Sequence, residues 1–219
     1  MASRPKQAQP RPAPRLYLMT PQLADPADLA APLAAALAAG DVAAVLLRLE
    51  AADEGTLIKR AKAVAGIVQE NGAALLIEGR ADLVARARAD GAHMSGLAAF
   101  GEAVEQLKPD WIVGIGGLVT RHDAMLAAEQ GADYVMFGEP DAAGARPAFA
   151  AVEERIGWWA EVFEAPCVGY AAALDEVAPL VEAGADFIAL GDWLWREPAS
   201  VSEKVAAAAH AMRLPESAA

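Results

Sequence analysis

The chain has 219 residues, of which 55% are hydrophobic and 22% charged, and it carries a formal net charge of -12 at pH 7. That apolar content excludes a disordered polymer and suits one large buried core, while an acidic surface repels phosphodiester backbones and argues against nucleic-acid partners. No apolar run approaches the roughly 18–20 residues of a membrane span, so no membrane partner is expected. The cytoplasm is the expected location, and the one cysteine, Cys167, reads as a small buried hydrophobe.

In chain order, residues 1–14 (MASRPKQAQPRPAP) read as a flexible Pro- and Arg-rich tail, 15–212 as one globular unit and 213–219 as a flexible end. A first apolar strand is expected at Leu16–Met19. Asp25 before Pro26 has the form of a helix start, and Asp53 of a second. Between Thr56 and Gln69, Leu57, Ala61, Val64, Ala65 and Val68 recur at helical steps. Thr120-Arg-His-Asp123 resembles a capping box. Short apolar runs at Ala73–Ile77, Trp111–Ile115 and Pro166–Tyr170 read as strands.

A loose repeat supplies the remaining strands: Ala39-Gly-Asp-Val-Ala-Ala-Val-Leu-Leu47, Ala89-Asp-Gly-Ala-His-Met94, Gly131-Ala-Asp-Tyr-Val-Met-Phe-Gly138 and Gly184-Ala-Asp-Phe-Ile-Ala-Leu-Gly191. Each is expected to close a helix with a left-handed glycine and enter a buried strand. About eight apolar strands alternating with helices predict an α/β fold, a single-domain (β/α)8 TIM barrel. The alternative is an open doubly wound sheet. Against it, Leu18-Met-Thr-Pro-Gln-Leu23 lacks glycine, and Gly114-Ile-Gly116-Gly117 lacks a third spaced glycine.

A barrel of this kind binds ligands at the C-terminal strand ends. Those positions are Thr20, Arg48, Glu50, Glu78, Arg80, His93, Ser95, Gly116, Gly117, Glu139, Asp141, Tyr170, Asp192, Trp193 and Trp195. Glu50, Glu78, Glu139, Asp141 and Asp192 suit either a divalent cation or plain solvated caps. Arg48, inside an apolar strand, needs an anion or a carboxylate partner such as Glu50 or Glu78. His93 is either a proton carrier or a hydrogen-bonded core histidine; His122 and His210 read as surface residues. Trp193 and Trp195 wall a ligand or seal the barrel end. Trp158, Trp159 and Phe163 offer either a homodimer face or packing on the barrel.

Leu16-Tyr-Leu-Met-Thr-Pro21, Ala89-Asp-Gly-Ala-His-Met94 and Gly131-Ala-Asp-Tyr-Val-Met-Phe-Gly138 resemble the first-, fourth- and sixth-strand signatures of the thiamine phosphate synthase superfamily, which also holds the thiazole tautomerases. The resemblance runs from about Leu16 to Trp195. It implies a barrel that joins hydroxymethylpyrimidine diphosphate to a thiazole phosphate, with Mg2+ and basic side chains on the leaving diphosphate. The chain departs from that pattern. Where the family has Gln-x-Arg-Glu-Lys, it has Leu46-Leu-Arg-Leu-Glu50, and Asn-Asp becomes Glu78-Gly79. His-Leu-Gly-Gln-x-Asp becomes His93-Met-Ser-Gly-Leu-Ala98, the fifth-strand serine becomes Gly116, and the tautomerase histidine falls near Leu118 or Val119. In the phosphate loop the threonines become Ala143 and Ala145 and the lysine becomes Arg146, while Val168-Gly-Tyr-Ala-Ala172 and Gly191-Asp-Trp193 replace glycine-rich turns.

The resemblance thus implies a divergent member that lacks the standard Mg-dependent coupling and binds a related small heterocycle or phosphate. The alternatives are an active synthase, a transferase with Mg2+ and unusual site residues, or a non-catalytic assembly subunit. No catalytic residue and no metal ligand is assigned. The ligand-binding candidates are Arg48, Glu78, Arg80, His93, Gly116, Gly117, Glu139, Arg146, Gly169 and Asp192.

Overall fold

The computed structural model describes residues 12–213. Most of the expected tails, 1–11 and 214–219, therefore lies outside the described residues. Eight parallel strands close in sequence order into a barrel: β1 (Arg15–Leu23), β2 (Val42–Leu49), β3 (Ala74–Glu78), β4 (Gly91–Ser95), β5 (Ile112–Gly116), β6 (Tyr134–Phe137), β7 (Cys167–Ala171) and β8 (Phe187–Leu190), with β1 paired to both β2 and β8. Outside them lie α1 (Pro26–Ala39), α2 (Glu54–Glu70), α3 (Val84–Ala87), α4 (Leu97–Leu107), α5 (Arg121–Glu129), α6 (Phe149–Val162), α7 (Val177–Glu182) and α8 (Val201–Ala211). The predicted single-domain TIM barrel is the fold observed.

The expected caps form. The Asp25 carboxylate accepts from Ala27 N, Asp53 accepts from Thr56 N, and Thr120 and Asp123 make the reciprocal capping box. The glycine rule holds at only two of the four joints. Gly131 and Gly184 take positive φ, whereas Gly40 is extended and the left-handed residue of the fourth-strand joint is Arg88. Gly91 instead serves contact, because a Cβ there would stand 2.1 Å from the Ile112 carbonyl.

The aspartates of the joints have a role that their spacing did not announce. Asp90, immediately before β4, donates its N–H to Leu75 O and accepts Leu75 N–H on its carboxylate at 2.7 Å. Asp133 before β6 clasps Val113 in the same way, at 2.6 Å, and Asp186 before β8 clasps Cys167, at 2.8 Å. Three even-numbered strands are thus pinned to their odd neighbours by one repeated device that satisfies a backbone donor near the start of the neighbouring strand. Asp41, before β2, pairs instead with the Arg15 guanidinium.

Alternation along each strand separates two apolar layers. Outward residues such as Leu75, Val113, Cys167 and Ile188 pack under the helices. Inward residues, among them Tyr17, Met19, Leu46, Leu76, Tyr134 and Tyr170, fill the barrel. The large tyrosines fit because glycines face them: a Cβ on Gly114 would overlap the Tyr134 ring, and one on Gly191 the Tyr170 ring. At the barrel end Trp195 is buried and donates to Met19 O, and Trp193 donates to Ala171 O, so both indoles seal the structure. Trp159 is fully buried under α6, and Trp158 is half-buried.

Candidate functional site

A cavity of about 1070 Å3 opens at the C-terminal end of the barrel. Its position follows from strand parity. The inward positions of β2, β3, β4 and β5 continue upward to Arg48, Glu78, His93 and Gly116, so the last layer of the barrel interior is polar where the lower layers are apolar. The β6–α6 loop supplies Glu139, Asp141 and Arg146, and the turn after β8 supplies Asp192.

β1 runs further than expected, to Leu23, with an irregular register between Met19 and Gln22. Thr20 is therefore a buried strand residue, and its hydroxyl accepts the Arg48 N–H at 3.0 Å. The Arg48 guanidinium donates to the Thr20 carbonyl and pairs with Asp192. Its partner is thus Asp192, across the barrel seam, in place of the expected Glu50 or Glu78. Glu78 still feels it: burial raises the Glu78 carboxyl above the usual range, while the nearby Arg48 pulls it down.

Arg146 is also committed. It makes two bonds to the Glu176 carboxylate, 2.8 and 3.0 Å, and donates to the Gly138 and Tyr170 carbonyls. The pair is largely buried, and it ties the β6–α6 loop to the segment after β7. Asp141 turns its carboxylate onto Ala143 N and Ala145 N, both at 2.9 Å, which folds that loop on itself.

The floor of the cavity is a polar chain. His93, 5% exposed, shares a hydrogen bond between Nδ1 and the Tyr134 hydroxyl at 2.9 Å, and Tyr134 shares one with the Tyr17 hydroxyl at 2.8 Å. Burial pushes the His93 pKa down to about 4, so the ring is neutral at pH 7, and burial raises both tyrosines. Glu139 accepts the Gly117 N–H at 2.5 Å. Burial raises its carboxyl, against the opposing pull of that hydrogen bond and of Arg155. Gly116 makes the meeting possible, because a Cβ there would stand 2.3 Å from Glu139 Oε1 and 2.9 Å from His93 Nε2.

Of the sequence-derived candidates, the fold gathers Arg48, Glu78, His93, Gly117, Glu139, Arg146 and Asp192 around the cavity, with Gly116 against its floor. It does not gather Arg80, which forks to Asp82, or Gly169, which faces Ile156 and Leu180 on the helix side. Glu50 lies outside the cavity lining, so the five expected carboxylates do not meet as one group. His122 and His210 are exposed, as expected. Sequence reasoning passed over Arg155, which reaches the cavity from α6 by donating to the Leu118 and Val119 carbonyls, and over Tyr17 and Tyr134. The inward parity of the two tyrosines was the available signal; Arg155 gave none.

Among the described residues no helix is long and apolar enough to cross a membrane. The chain is 42% identical to the thiamine-phosphate synthase of Rhodospirillum centenum over 88% of its length and 94% of that protein's. It is 38% identical to that of Hyphomonas neptunium, covering 86% and 89% of the two chains. The structure of a thiamine phosphate pyrophosphorylase from Pyrococcus furiosus superposes with a TM-score of 0.74 at 20% identity, over 90% and 95% of the two chains, a likeness of fold. The profile of the family described as thiamine monophosphate synthase matches residues 16–193, and with these full-length relatives it places the chain in the thiamine phosphate synthase family.

Proposed function

We propose that the chain is a divergent member of this family that binds a small heterocycle, or a phosphate ester of one, without the Mg-dependent release of diphosphate. The observation that carries this reading is the neutralisation of both inherited arginines. Arg48 is paired with Asp192 and Arg146 with Glu176, while Glu78, Glu139 and Asp141 face the same cavity. A leaving diphosphate needs concentrated positive charge, and here it would have to displace two carboxylates.

The donor set also does not fit the magnesium that the family's coupling uses. The positions of its carboxylates hold Gly79 and Ala98, and among the described residues no group of three or more His, Cys, Asp or Glu is placed to hold a metal ion. A neutral planar ring suits this cavity better: apolar walls from Met19, Leu118 and Met136, and polar groups confined to a few directions. Self-association through Trp158 and the 60% exposed Val162 is a further expectation.

The second reading is an active synthase with altered site residues, and 42% identity across nearly the whole Rhodospirillum centenum synthase favours it. Purified protein with hydroxymethylpyrimidine diphosphate, thiazole phosphate and Mg2+ separates the two. Our reading expects no thiamine phosphate, and expects the free pyrimidine alcohol or the thiazole to raise Tm by about 5 °C near saturation. Steady thiamine phosphate production would replace it with the second reading. A flat Tm across the panel would overturn the heterocycle assignment.

A further inference from the structure

Glu139 and His93 are more than lining. His93 is held through Nδ1 by Tyr134, and behind it by Tyr17, while Nε2 has no hydrogen-bond partner among the described residues. Nor is that atom sealed in, since no fully buried side-chain nitrogen or oxygen lacks a partner. It therefore opens on the cavity that His93 lines. Glu139 Oε1 borders the same methyl-sized gap above Gly116 and is fixed by Gly117 N–H. Both glycines are needed for this approach: a Cβ on Gly117, whose φ is +66°, would strike Ser95 Oγ at 2.4 Å.

We propose that Glu139 and His93 form a catalytic acid–base pair that isomerises a bound planar heterocycle by moving a proton between two ring positions; this rests on the heterocycle reading above. In the first half, a ring C–H or N–H bond breaks and an O–H bond forms on the Glu139 carboxylate. The released electron pair moves through the ring to a heteroatom that accepts a hydrogen bond from His93 Nε2–H. In the second half the Glu139 carboxyl returns its proton to another ring atom, and the carboxylate is restored. No oxidant, reductant or second substrate enters the balance.

The surroundings fit these roles. Burial keeps His93 neutral down to about pH 4, so it serves as a donor, not as an imidazolium. For Nε2 to carry the proton, Nδ1 must accept, which sets the direction Tyr17 to Tyr134 to His93 along the hydroxyl chain. Tyr134 and Tyr17 are thus positioning residues. Glu139 faces Gly117 N–H from the β5–α5 loop, Arg155 from α6 and Tyr17 and Tyr134 from the barrel interior, and its raised carboxyl makes a stronger base than an exposed one.

Nitrobenzisoxazole tests the pair without its natural ligand, because removal of one carbon-bound ring proton breaks the N–O bond and releases a coloured cyanonitrophenolate. The full chain is expected to open it faster than buffer alone, and Glu139→Gln to lose about a hundredfold of that rate. The glutamine amide oxygen can still accept Gly117 N–H, so the fold is retained. Tyr134→Phe is expected to lower kcat about fivefold with KM unchanged, and to remove the Nε2–H tautomer of His93 from the nitrogen NMR spectrum. No rate above buffer, or a full rate in Glu139→Gln, would overturn the pair. An unchanged His93 spectrum in Tyr134→Phe would overturn the positioning chain. Ring opening with a flat Tm panel rejects the heterocycle assignment and leaves the pair standing, whereas Tm shifts without ring opening reject the pair alone.

Discussion

At the N-terminal end of the barrel, Asp90, Asp133 and Asp186 each turn a carboxylate back onto one backbone N–H of the preceding strand. At the other end, Glu78, Glu139 and Asp192 turn toward a cavity and toward arginine or an unpaired imidazole edge. The same chemical group serves two purposes, separated by the length of a strand. At the bottom its acceptor capacity is used by the chain itself, and the result is register. At the mouth that capacity is partly open, and the result is a site whose carboxyls are shifted by burial. The difference teaches that, in this acidic chain, counting carboxylates says little until one knows which donor each one faces.

The sharpest way to break the comparison is at the bottom. Asp133→Ala removes the acceptor of Val113 N–H and the partner of Lys108 together. Val113 is fully buried, so its donor is left without compensation. We expect a loss of about 3 kcal/mol in urea unfolding, with heterocycle affinity unchanged in the protein that remains folded. A variant as stable as the parent would remove the clasp from the account of the fold.

This end of the molecule also shows what the sequence could and could not say. The joints Gly131-Ala-Asp and Gly184-Ala-Asp were visible as helix-to-strand boundaries because glycine and apolar periodicity are local signals. The clasp was not visible, since it depends on a residue about 15 to 20 positions earlier that only the closed sheet brings near. The site divides in the same way. Arg48, Glu78 and His93 could be placed at strand ends from the sequence, and the inward parity of the strands delivered them. Arg80 and Gly169 were placed by the same reasoning but one step out of phase with the pleat, and they face elsewhere. The partners of the arginines, Asp192 and Glu176, lie 144 and 30 positions away, and no spacing rule reaches them.

A smaller effect is expected from the buried imidazole at the mouth. The unfolded chain binds the His93 proton near pH 6.5, and the folded chain resists it until about pH 4. Between those values the unfolded state holds more protons, so stability falls as pH falls through this window, and above it His93 contributes no slope. Glu78 and Glu139 act with the opposite sign, because their raised carboxyls favour the fold when protonated, a contribution lost as pH rises through their titration. His93→Asn should flatten the acid side of the stability profile while leaving the carboxyl slope in place. Parallel urea titrations from pH 4 to pH 7 read this directly, and an unchanged slope would mean that the imidazole is already charged in the fold.

The smallest change in stability is expected at Asp192, and it bears most directly on ligand choice. Its side chain is 60% exposed, whereas that of Arg48 is 17% exposed, and an ion pair with one solvated partner is worth at most about 1 kcal/mol. Asp192→Asn should therefore unfold within that margin of the parent, in contrast to Asp133→Ala. It leaves the Arg48 charge facing the cavity with only the partly buried Glu78 nearby. If ion pairing is what closes this mouth to polyanions, inorganic pyrophosphate should bind Asp192→Asn severalfold tighter than the parent by calorimetry. Added salt should erase the gain, since the released interaction is a screened charge contact. Equal binding by both proteins would mean that cavity shape, and not the neutralised guanidinium, excludes the anion.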